Sequence, residues 1–195
     1  MPGPRRIVLF HSALGLRPAV LEWADRLRAA GHTVEAPDSF DGEVFDDLDA
    51  GMRKRDEVGV PGLIARADAA VAGLPPELVY MGFSMGASAA EYLAATRPGA
   101  VAAALMHGAA PVAEMGADAW PAAVPVQVHH AVDDPWVEAA EVEGLRADVE
   151  AAGAEFGEFT YPGSAHLFAD TDGPEFDRDS ATLMFERVVE FLERI

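Results

Sequence analysis

Gly82-Phe83-Ser84-Met85-Gly86 sets one hydroxyl between two glycines. The pattern follows an apolar run, Leu78 to Phe83, and precedes an Ala-rich stretch, Met85 to Thr96. A sharp strand-to-helix turn leaves no room for side chains beside the serine, hence the glycines. The serine oxygen then sits at a helix N-terminus, where free N–H groups favour developing negative charge. A serine hydroxyl is a poor nucleophile until a base takes its proton. Downstream of Ser84, histidines stand at 107, 129, 130 and 166. Of these, His166 follows the last expected strand, in Tyr161-Pro162-Gly163-Ser164-Ala165-His166, a loop able to fold back over Ser84. His129 and His130 fall inside an expected strand. His107 ends one and reads as a core or supporting residue, and His32 reads as surface. The acid is expected after Val126 to Ala131, where Asp133 and Asp134 are adjacent. Either could orient His166 and stabilise its imidazolium form. Alternation along an extended chain sends neighbours to opposite sides, so one serves and the other caps the next helix. The oxyanion donors expected are the N–H of Met85 and that of Ala13, in the loop His11-Ser12-Ala13-Leu14-Gly15. Ser12 offers a second hydroxyl there, to bond Ser84 or substrate or to close the turn.

These residues need a frame, and the apolar patterning supplies one. Short β-branched or apolar runs predict strands at Arg6 to His11, Thr33 to Ala36, Leu78 to Phe83, Ala100 to Met106, Val126 to Ala131 and Glu155 to Tyr161. Between them, helices are expected over Pro18–Ala30, Pro61–Ala72, Met85–Thr96, Val137–Ala152 and Phe176–Ile195. Pro18 suits a first turn and Gly31 the position after an end. Residues 37–60 and 108–124 read as long loops, the first with at most one short helix. Such alternation predicts an α/β fold with a mostly parallel sheet of about six strands, helices on both faces, and one domain over residues 1–195. Ligands in such sheets bind beyond the carboxyl ends of the strands, where Ser84, Asp133, Asp134 and His166 all fall. Phe40, Phe45, Phe83, Trp120, Trp136 and Phe168 are candidates for an apolar pocket wall, with core packing at least as good a reading for each.

Composition narrows the chemistry. The chain has 195 residues, 50% of them hydrophobic, and 33 acidic against 14 basic side chains give a net charge of −19. Such a field opposes nonspecific binding to nucleic acid or an anionic membrane. Cysteine is absent, so disulfides, thiolate metal sites and a cysteine nucleophile are excluded. No metal or organic cofactor is implied. The lead-in Met1–Arg6 and the apolar run ending at His11 are too short for a signal segment or a membrane span. The expectation is a cytoplasmic protein, monomer or homodimer, acting on a small molecule.

The chain resembles the dienelactone hydrolase family of the α/β-hydrolase fold over nearly its whole length. The resemblance rests on Ile7-Val8-Leu9 with Gly15-Leu16, on Leu27 to Asp38, on Gly82 to Gly86, on Asp134 to Val137, and above all on Tyr161 to Phe168. It implies the strand order 2-1-3-4-5-6. It also implies Asp134 as the acid, because Val137 follows at the family's spacing. Three departures stand out. Ser84 replaces the family's typical cysteine nucleophile. Ser12 replaces the glutamate that partners that cysteine. Asp170 replaces an arginine that holds the substrate carboxylate in dienelactone-cleaving members. A carboxylate facing substrate there would repel an anionic lactone. The resemblance therefore implies a serine hydrolase of a small ester, lactone or thioester, acting through Ser84, His166 and Asp134. Met85 and Ala13 would hold the oxyanion, and Ser12, Phe83, Trp136 and Phe168 would touch substrate. A non-catalytic binding or regulatory protein on this fold, or an acyltransferase using the same three residues, are the rival readings.

Overall fold

The computed structural model describes residues 3–195; Met1 and Pro2, part of the lead-in and of the domain expected over 1–195, lie outside it. Six strands pair in parallel in the order β2-β1-β3-β4-β5-β6. They are β1 (Arg6–Phe10), β2 (Thr33–Glu35), β3 (Leu78–Phe83), β4 (Ala100–Met106), β5 (Val126–Ala131) and β6 (Phe156–Tyr161). The helices are α1 (Pro18–Ala29), α2 (Leu48–Val71), α3 (Met85–Thr96), α4 (Ala139–Ala151) and α5 (Arg178–Arg194).

Strand alternation sorts the core into two layers. Ile7 and Leu9 of β1, with Val79 and Met81 of β3, face α1 and α5, where Trp23, Leu27, Met184, Val188 and Phe191 are buried. Val8, Phe10, Leu78 and Tyr80 face α2, α3 and α4, against Val71, Leu93, Leu145 and Val149. A sheet covered on both faces explains why its central strands read as continuous apolar runs. This is the α/β-hydrolase architecture, in the strand order the resemblance implied.

The main correction concerns residues 37–60. The loop ends at Asp47, whose side chain accepts the Ala50 N–H at 2.8 Å and caps α2. The helix runs from Leu48 to Val71, broken at Gly59 (φ 69°, ψ 160°) just before Pro61. Its first half, in a segment expected to hold at most one short helix, has almost no core face: Gly51 is its one buried residue, while Ala67 and Val71 lie beyond the break. Gly51 has its own reason, since a Cβ there would strike the Ala13 carbonyl oxygen. Other ends shift by one or two residues. The Asp134 turn delays α4 to Ala139, and the Asp177 cap on the Ser180 N–H, at 2.7 Å, starts α5 at Arg178.

Candidate active site

The β3–α3 turn is tight. Ser84 holds φ 52° and ψ −115°, a conformation that ordinary side chains avoid at a cost of about 1–3 kcal/mol. Its neighbours explain the glycines. A Cβ on Gly82 would collide with the Gly86 carbonyl, and one on Gly86 with the carbonyl oxygens of Phe10 and His11. The turn thus packs backbone on backbone and drives the serine side chain outward, into a groove of about 500 Å³.

Three loops meet at that side chain. Ser84 Oγ lies 2.8 Å from His166 Nε2. His166 Nδ1 lies 2.8 Å from Asp134 Oδ2 and 3.0 Å from Oδ1. A carboxylate only accepts, so Nδ1 carries the proton and Nε2 accepts from the Ser84 hydroxyl. Asp134 is buried and also takes the Trp136 N–H at 2.9 Å. Asp133 is exposed and donates its N–H to the Gly163 carbonyl at 3.0 Å. Of the two adjacent acids, the structure brings Asp134 to the histidine. Among the described residues, neither the Met85 nor the Ala13 N–H has a hydrogen-bond partner within the protein. Both remain free to donate.

The expected pocket wall is largely corrected. Trp136 lines the groove, 48% exposed, with its ring 5.8 Å from that of His166. Phe83 and Phe168 are buried in the core instead. Phe83 meets Trp23 edge-on at 5.3 Å, and Phe168 packs on Tyr161 at 4.8 Å. Phe40 is buried against His11 and Phe45, and Trp120 is buried with its indole N–H on the Val124 carbonyl. Ser12 closes its own turn, its Oγ accepting the Leu14 N–H at 3.2 Å. It lines a separate cavity of about 10 Å³ rather than the groove, room for roughly one water molecule.

Asp170 also faces that small cavity, not the groove. Its carboxylate lies 3.6 Å from the buried Arg17 guanidinium. Desolvation raises the Asp170 carboxyl from its ordinary range, and Arg17 opposes the rise. Arg17 further donates to the carbonyls of Phe45 and Asp172, tying three loops together. Nothing in the sequence pattern singled out Arg17; the pairing spans 153 residues of chain, which no local spacing reveals.

Two further buried groups carry polar atoms without partners among the described residues. His107, at φ 66°, has both ring nitrogens unbonded. Its ring stacks on Phe83 and meets Phe168 edge-on, forming an aromatic floor 5.9 Å from the His166 ring. Burial first, then the fields of His166, His129 and His130, holds it well below the usual histidine range, hence neutral. Glu91, inside α3, accepts the Ala110 N–H through one oxygen while the other has no partner. The remaining histidines are engaged elsewhere. His129 bonds Tyr161 and Gln127, His130 bonds Glu158, and His32 accepts the Arg5 N–H.

Comparison with known proteins identifies the family and the fold. The dienelactone hydrolase family model matches residues 2–195. The chain belongs to the dienelactone hydrolase family of ester hydrolases. No curated protein is similar enough to this chain to count as a match. Among solved structures, a dienelactone hydrolase-like promiscuous phosphotriesterase from metagenomic libraries superposes with TM-score 0.79 at 21% identity, over 100% of this chain and 88% of that one. An esterase of the Planctomycetes species Thermogutta terrifontis, solved with propionate bound, gives TM-score 0.70 at 19% identity, over 98% of this chain and 84% of that one. The Thermogutta terrifontis esterase 2 phosphorylated by paraoxon gives 0.69 at 19% identity, over 97% and 82%. At such identities the likeness is one of fold. Within the dienelactone hydrolase family, this chain has a serine at the elbow and an aspartate–arginine pair at position 170. Among the described residues, no helix is long and apolar enough to cross a membrane.

Proposed function

We propose that this family member is a serine hydrolase of small esters, lactones or thioesters, working through an acyl-enzyme. Ser84 Oγ attacks the acyl carbon as His166 Nε2 takes its proton. Asp134 accepts from His166 Nδ1–H, fixing the tautomer and stabilising the imidazolium that forms. The N–H groups of Met85 and Ala13 hold the oxyanion of the tetrahedral intermediate. Collapse expels the alcohol or thiol, which leaves with the proton from His166. Water then gives its proton to Nε2, attacks the acyl carbon, and the acid departs as Ser84 Oγ regains a proton.

The observation that carries this reading is the hydrogen-bonded series Ser84–His166–Asp134, with links of 2.8 Å and 2.8 Å at the floor of an open groove. The neighbours lend support, since a same-fold esterase is solved with propionate bound and is phosphorylated by paraoxon. The test is p-nitrophenyl acetate hydrolysis by the parent and by Ser84→Ala. Loss of a triad nucleophile lowers kcat by roughly a millionfold. The parent should turn over and Ser84→Ala should fall to background. Cleavage by Ser84→Ala at the parent rate would contradict the reading.

A further inference from the structure

The groove's wall carries a message about substrate charge. α2 contributes Leu48, Met52, Leu63 and Ile64, α3 contributes Met85, and Trp136 stands at the mouth. Arg55 is the one cation lining the groove among the described residues, and it is already taken. Its Nε donates to Asp56 Oδ1 at 2.9 Å, and Nη2 reaches the same oxygen. Nearby Arg66, whose Nη1 donates to the Ser39 carbonyl, is paired with Asp41 at 2.8 Å. Arg17 is locked among Asp170, Phe45 and Asp172.

Opposite sign prevails elsewhere in the wall. Glu114 and Glu141 both line the groove. Desolvation, then the charges of Glu138 and Glu114, raises the Glu141 carboxyl from its ordinary range, so this end already disfavours added negative charge. The net charge of −19 acts in the same direction at longer range. A substrate carboxylate entering here would lose hydration, meet apolar side chains and two acids, and find no unpaired cation.

We infer that the substrate is a neutral or cationic ester with an apolar chain or ring, and that carboxylate-bearing esters are rejected by the groove wall. This rests on the hydrolase reading of Ser84 and deepens it. Asp170 plays no part in the rejection, because its charge is spent on Arg17 outside the groove. The selectivity belongs to Glu114 and Glu141.

Matched substrates test it. p-Nitrophenyl hexanoate and the p-nitrophenyl monoester of adipic acid share six acyl carbons and differ in the terminal carboxylate. For the parent protein, kcat/KM for the hexanoate should exceed that for the adipate monoester by about a hundredfold. Along the neutral series from acetate to hexanoate, kcat/KM should rise by up to about fourfold for each methylene buried. In the Glu114→Gln/Glu141→Gln double variant, the adipate-to-hexanoate ratio should rise about fivefold or more. Raising salt from 20 mM to 0.5 M should lift the same ratio in the parent, because roughly 20 Å of screening length shrinks to about 4 Å; this reading needs no variant. An adipate monoester cleaved as well as the hexanoate would overturn the inference and leave the hydrolase reading intact. So would a ratio unmoved by both the double variant and salt. Turnover of no ester at all would overturn the hydrolase reading, and this inference with it.

Discussion

Asp134 and Glu91 are two buried carboxyl groups with opposite settings. Asp134 ends the β5 turn and accepts two donors, the His166 imidazole and the Trp136 N–H. Glu91 sits within the helix that Ser84 begins and accepts one, the Ala110 N–H, leaving its second oxygen bare. Burial pushes the Glu91 carboxyl up to about 8, aided by Glu114, Asp148 and Glu141 and opposed by the Ala110 bond. The contrast shows that burial does not decide what a carboxyl does; its donors do. One holds the His166 imidazole and the Trp136 N–H, the other keeps its proton and holds the loop after β4.

Of the two carboxyl groups, Asp134 carries the larger expected effect. Asp134→Asn keeps the shape but reverses the preferred histidine tautomer, and should lower kcat by about 10³–10⁴-fold. The exposed neighbour gives the control: Asp133→Asn should stay within about twofold of the parent, because a surface charge is well screened. Ester hydrolysis by both variants checks the pair, and equal losses would erase the distinction between the two acids.

Glu91 should act on stability rather than rate. Folded Glu91 keeps its proton up to about pH 8, whereas the unfolded chain releases it near 4.5. Between those values the folded state binds more protons, so stability falls as pH rises, and the loss is complete above about 8. At about 1.4 kcal/mol per unit, the span is on the order of 5 kcal/mol. Glu91→Gln keeps an oxygen for Ala110 and removes the titration. Thermal melts from pH 5 to pH 9 should fall less steeply for this variant, and an unchanged slope would assign the pH dependence elsewhere.

The smallest effect belongs to Asp170. Asp170→Asn should change the adipate-to-hexanoate ratio by less than about twofold, since Arg17 compensates the charge outside the groove. A larger change would return Asp170 to the list of selectivity residues.

Much of this architecture was legible in the residues. Glycines that a sharp turn demands, an apolar strand before them and a helix after them are local signals, and Gly82 to Gly86 carries all three. His166 and the aspartate pair were legible through chain order, because parallel strands deliver their carboxyl-end loops to one edge. What stayed hidden depended on distant packing. The first half of α2 has little core face, so no hydrophobic period announced it. For Phe83 and Phe168 the residues alone leave pocket wall and core open, and distant packing decides for the core beside His107. Asp170 looked like a substrate-facing charge until Arg17, far away in sequence, came to meet it. Glu91 gave no signal at all, since a glutamate in an Ala-rich helix usually faces water.

The central claim is that Ser84 is a nucleophile activated by His166. Its most direct measurement is brief exposure of the folded protein to a fluorophosphonate, followed by peptide mass mapping. One covalent adduct per chain, located on Ser84 and abolished in Ser84→Ala, is the predicted result. A folded protein that takes no adduct at Ser84 would contradict it.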